Sequence, residues 1–113
     1  MLSKIEAIIR EEKLDSVREA LEKDGYSGIT VCEVRGRGRQ GGLKLQWRTK
    51  EYRVDLLPKV KIEVVVLEKD VSKTVETIMS RARTGDIGDG KIFVFPVENA
   101  IRVRTGECGV NAI

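Results

Sequence analysis

With 113 residues, 41% of them apolar, the chain has material for one domain with a modest core of Ile, Val and Leu; no apolar run nears the ~20 residues that span a bilayer. Histidine is absent, which removes the usual general base and any Ser/His or Cys/His triad, and Cys32 and Cys108 fit no metal-ligand spacing and read as two reduced thiols. The net charge of +3 hides an asymmetry: residues 35–53 carry seven bases against one acid, or +6, whereas the remainder carries 14 bases against 17 acids, or −3.

The opening MLSKIEAIIREEK carries acids and has no long apolar stretch, unlike a signal peptide, so the expected location is the cytoplasm. Residues 4–10 (KIEAIIR) predict a first strand, β-branched residues bounded by charge. Leu14, Val17, Ala20 and Leu21 recur at helical spacing, and Gly25 stands where that helix should end. Residues 29–34 (ITVCEV) predict a second strand. The basic segment follows, rich in glycine at its start and bearing Trp47 and Tyr52; such a length of connection inside a small domain is usually functional.

Val60, Ile62, Val64 and Val66 alternate within residues 60–67, the clearest strand signal in the chain. Asp70 is placed to cap a second helix with an apolar stripe of Val71, Val75, Ile78, Met79 and Ala82. RTGDIGDG interrupts, and residues 91–97 (KIFVFPV) predict a fourth strand in which Pro96 marks an end or an edge. A last short strand is expected over residues 101–104, before a polar tail. Strand, helix, strand, long loop, strand, helix, strand is the α+β, ferredoxin-like βαββαβ order. Two helices on one face of such a sheet leave the other bare. Apolar residues on both sides of residues 60–67 lead us to expect that an oligomer covers it.

Three segments have the chemistry to handle anions. In RGRGRQGG the glycines let backbone N–H groups approach a ligand, and Arg37 and Arg39 add bidentate donors; a flexible basic tether for nucleic acid is an equal reading of that segment alone. GDIGDGK, residues 85–91, satisfies G-x-x-x-x-G-K, but Ile92 replaces the required Ser or Thr, and the segment leaves a helix and enters a strand. It is therefore no P-loop, although its glycines and Lys91 still make a phosphate cradle. In IRVRTG, a strand would project Arg102 and Arg104 from one face, a spacing suited to a polyphosphate.

KIEAIIR, KLDSVREAL, EVRGRGRQ, EYRVDLLPKVKIEVVV, ARTGDIGDGKIFVFPVE and IRVRTGE, in this order over essentially the whole chain, resemble the PII nitrogen-signalling proteins. The resemblance implies a single domain over residues 1–113, a homotrimer that is not an enzyme, with ATP or ADP in clefts between neighbours. Its T-loop would span about 36–54, its B-loop about 83–91 and its C-terminal loop about 102–113. Gly36, Arg37, Gly38, Arg39 and Gln40 would line one wall; Gly88, Asp89, Gly90 and Lys91 would hold phosphates; Arg102 and Arg104 would reach in from the adjacent subunit. Gln40 matches the glutamine that ligates Mg²⁺ with ATP and 2-oxoglutarate, and Lys59 the lysine that pairs with an effector carboxylate.

Tyr52 matches a tyrosine uridylylated in some bacterial members, and its presence permits that modification without showing it. Lys50 stands where some relatives carry a phosphorylated serine, with Thr49 beside it. Arg48 matches an arginine that enters an ammonium transporter pore. Leu43, Leu45 and Trp47, with Lys44, make the loop tip more apolar and more basic than in relatives, which leaves the partner gripped by Trp47 and Arg48 open. Two other classes fit parts of the sequence. A small nucleic-acid-binding module, with Trp47 stacking a base, leaves GDIGDGK unexplained; a small acylphosphatase-like enzyme lacks a catalytic constellation. The expected partners are thus other copies of the chain and a transporter or nitrogen-assimilation enzyme, with no nucleic acid and no membrane insertion.

Overall fold

The computed structural model describes residues 1–37 and 56–113 in full, and 43–47 and 50–54 in backbone only. The elements in order are β1 (Leu2–Ile9), α1 (Leu14–Lys23), β2 (Ile29–Gly36), β3 (Leu43–Trp47), β4 (Lys50–Val54), β5 (Leu57–Leu67), α2 (Val71–Ala82) and β6 (Gly90–Val97). Single 3₁₀ turns at Glu11–Lys13 and Glu68–Asp70 lead into the two helices.

β2, β5, β1 and β6 form one antiparallel sheet in that order, with β1 and β5 at its centre. This is the ferredoxin-like arrangement that the element order predicts. Period-two alternation puts Ile5, Ala7 and Ile9 of β1 and Val60, Ile62, Val64 and Val66 of β5 on the face beneath the helices, where all are buried. Val17 and Leu21 of α1 and Ile78 and Ala82 of α2 close over them. Burying each large aliphatic side chain contributes about 1.5–3 kcal/mol, so this layer holds the fold. Thr74 is buried on α2 while Val71 and Val75 are only partly covered, a small shift of the expected stripe.

Gly25 ends α1 as expected. Its φ of 95° lets the chain turn so that the Tyr26 N–H donates to the Leu21 carbonyl at 2.9 Å. Asp70 does not cap α2: its side chain makes no capping bond and instead accepts the Tyr26 hydroxyl. The expected strand over 101–104 is reduced to one bridge, Ile101 with Cys108. Between them residues 103–105 turn back through Gly106, whose φ is 76° and whose N–H donates to the Arg102 carbonyl at 2.8 Å. Arg102 and Arg104 are therefore carried on a turn and not on one strand face.

The basic connection is not a plain loop. β3 and β4 pair into a two-stranded ribbon, from Leu43 opposite Val54 to Trp47 opposite Lys50. β6 is an edge strand, and Pro96 sits in it opposite Ser3, as a proline without a ladder donor requires. The sheet face away from the helices carries Lys4, Glu63, Phe93 and Phe95. Lys4 bridges to Glu63 at 3.0 Å and lies 5.0 Å from the centre of the Phe95 ring, while Phe93 and Phe95 remain 43% and 42% exposed. No helix among the described residues is long and apolar enough to cross a membrane.

Candidate functional site

At one end of the bare face the strand register gathers the ends of β1, β2 and β6 around the first half of β5. Ile8, Gly36, Arg37, Lys59, Lys91 and Phe93, with the 86–90 loop, line a cleft of about 370 Å³. The residues singled out from three distant stretches of sequence (Gly36 and Arg37, Lys59, and Gly88 to Lys91) thus meet in space. Gly38, Arg39, Gln40 and Arg48 lie outside the described residues. For Trp47 and Tyr52 only the backbone is described: Trp47 pairs with Lys50 at one end of the ribbon, and Tyr52 with Leu45 within it.

The 84–90 loop is wound around one carboxylate. Asp89 accepts the backbone N–H groups of Thr84 at 2.8 Å and Gly85 at 2.9 Å, the Thr84 hydroxyl, and Arg10 Nε at 3.1 Å. The Thr84 hydroxyl above all, with these other donors, holds the Asp89 carboxyl well below the usual carboxylate range. The acceptor capacity of its side chain is thereby turned into the loop, which it organises.

Gly90 and Gly88 are demanded by geometry. Gly90 pairs with Ile9 at a φ of 109°, and a Cβ there would stand 1.8 Å from the Ile8 carbonyl oxygen. Gly88 has a φ of 106°, and its Cβ would stand 3.2 Å from the Arg10 guanidinium. Lys59, on β5, donates to the Gly88 carbonyl. Burial first, and then the positive charge of Arg10, lower its ammonium pKa.

Arg102 and Arg104 do not line this cleft. Arg102 is paired with Glu107 at 3.3 Å, and Glu107 also accepts the Thr105 hydroxyl at 2.9 Å. Reasoning from sequence missed Arg10 and Thr84. The only available signal was a basic residue closing KIEAIIR; that it meets Asp89 depends on the pairing of β1 with β6. Among the described residues no group of three or more Cys, Asp and Glu side chains could hold a metal ion.

A ferredoxin-like sheet, a ribbon joined to one sheet end and a glycine loop beside it thus frame one cleft. The family model for Nitrogen regulatory protein P-II matches residues 2–107. Nitrogen regulatory protein P-II 2 of Methanothermobacter thermautotrophicus is 56% identical over 112 residues, covering 99% of this chain and 97% of that protein. Nitrogen regulatory protein P-II of Pasteurella multocida is also 56% identical, covering 99% of this chain and 100% of its own. The crystal structure of Arabidopsis thaliana PII bound to citrate superposes with a TM-score of 0.82 at 44% identity, covering 99% of this chain and 92% of that one. The chain belongs to the P-II nitrogen regulatory protein family.

Proposed function

We propose that the chain is a homotrimeric, non-enzymatic signalling protein that senses ATP and ADP together with 2-oxoglutarate. Through its 36–54 loop it would regulate a nitrogen-assimilation partner such as an ammonium transporter. The carrying observation is the convergence of Gly36, Arg37, Lys59 and residues 86–91 on one cleft at the root of the ribbon. Cations around a glycine loop suit phosphates and carboxylates. The citrate-bound plant relative is a second support, since citrate is a polycarboxylate. The Mg²⁺ of this reading rests on the amide oxygen of Gln40 with phosphate and effector oxygens, a hard donor set for a hard cation.

Signalling in this scheme is a population shift. Ligands touching Arg37 to Gln40 and Lys59 favour some arrangements of the loop they adjoin, and a partner binds only some of these. Mg-ATP with 2-oxoglutarate withdraws the loop from a transporter, and ADP permits docking. Calorimetric titration is expected to show ATP and ADP binding that is lost in the Arg102→Ala/Arg104→Ala variant. No heat of binding at millimolar nucleotide would sink the proposal.

A further inference from the structure

Arg10 follows the last residue of β1 and reaches across to the glycine loop. Its Nε donates to Asp89 at 3.1 Å, its Nη2 donates to the Ile87 carbonyl at 3.1 Å, and the guanidinium stands 3.2 Å from where a Cβ on Gly88 would lie. Lys59 holds the next carbonyl, that of Gly88. In a planar trans peptide the C=O and the N–H point in opposite directions. Two cations that take the carbonyls of 87 and 88 therefore turn the N–H groups of Gly88 and Asp89 away from themselves. Among the described residues neither of those N–H groups donates within the protein. Successive free N–H groups at a turn with positive φ form a concave anion-binding array.

We propose that Arg10 is a positioning residue for this array: it aims the N–H groups of Gly88 and Asp89 at a phosphate-class anion without touching the anion, and the Asp89 carboxylate is its anchor. The inference rests on the nucleotide reading of the cleft. A fork of two donors matters here because one group must hold a carboxylate and a carbonyl at once. An ammonium offers its donors from a single point and lacks the fixed spacing of the fork.

The test compares the full-length chain with Arg10→Met, Asp89→Asn, the double variant and Arg10→Lys. ATP affinity is read by calorimetry, and amide exchange of Thr84 and Gly85 in the ligand-free protein by NMR. Each single variant is expected to weaken ATP binding by about tenfold, equivalent to ~1.4 kcal/mol. The double variant should lose clearly less than the sum of the two singles, because the Arg10–Asp89 contact is common to both. Arg10→Lys should recover part of the loss, and the Thr84 and Gly85 amides should exchange faster in each single variant. Additive losses in the double variant would mean that Arg10 reaches the ligand independently, and would overturn the proposal, as would unchanged ATP affinity in Arg10→Met. If the unmodified chain itself binds no ATP, the nucleotide reading fails. The exchange data still decide the role of Arg10, which unaltered exchange in Arg10→Met would refute.

Discussion

Gly90 begins β6 where two strands and a tight turn meet, so its missing side chain is a requirement of packing and of backbone conformation together. Gly90→Ala would bring a methyl group to 1.8 Å from the Ile8 carbonyl oxygen at a φ of 109°. Something must move, and chemical denaturation is expected to show a loss of about 3 kcal/mol or more, in the range reserved for such clashes. Asp89, one residue earlier, acts through charge. Its folded pKa lies below its ordinary value, so its contribution is complete above the unfolded value of about 3.9 and fades as pH falls through the folded one. The gap in thermal midpoint between the unmodified chain and Asp89→Asn should therefore be constant from neutrality down to about pH 5 and narrow below about pH 4. A gap that widens on acidification would contradict this assignment.

Elements are tied to one another by a few polar latches outside the apolar layer. The Tyr26 hydroxyl, just after α1, donates to Asp70 before α2 and accepts the Leu67 N–H at 3.3 Å. Burial, with the neighbouring Asp70 carboxylate, raises its pKa. Tyr26→Phe keeps the ring and deletes the latch, so urea unfolding should register a loss of about 1 kcal/mol. Asp70 was readable from sequence only as a cap, because its partner lies 44 residues away. The same distinction runs through the fold. Val60, Ile62, Val64 and Val66 announced their strand by local alternation, and Gly25 its helix end by local chemistry. The Arg10–Asp89 contact spans 79 residues and exists only once β1 and β6 are in register. The ribbon of β3 and β4 was masked by charge and glycine, and the C-terminal strand failed because Gly106 turns the chain back. Residues 36–37 and 85–91 of the candidate site were legible from their own glycines and cations, and Lys59 through the resemblance to a family, whereas the order within the loop was not.

The whole molecule presents a sheet with one face under helices and the other holding Phe93, Phe95 and the Lys4–Glu63 pair. In the proposed trimer that face turns toward neighbouring copies, and Arg102 and Arg104 complete a cleft that one protomer leaves without them. Light scattering should then report three times the 12.7 kDa chain mass at micromolar concentration, and a monomer would remove the route by which these arginines reach a nucleotide. Two ligands sharing Lys59 and the glycine loop must also influence one another equally in both directions. The most direct test of a sensor that joins nucleotide to carboxylate is a 2-oxoglutarate titration with and without Mg-ATP. Binding is expected to appear, or to tighten at least tenfold (~1.4 kcal/mol), only when Mg-ATP is present. Equal 2-oxoglutarate affinity in both titrations, or none in either, would contradict this expectation.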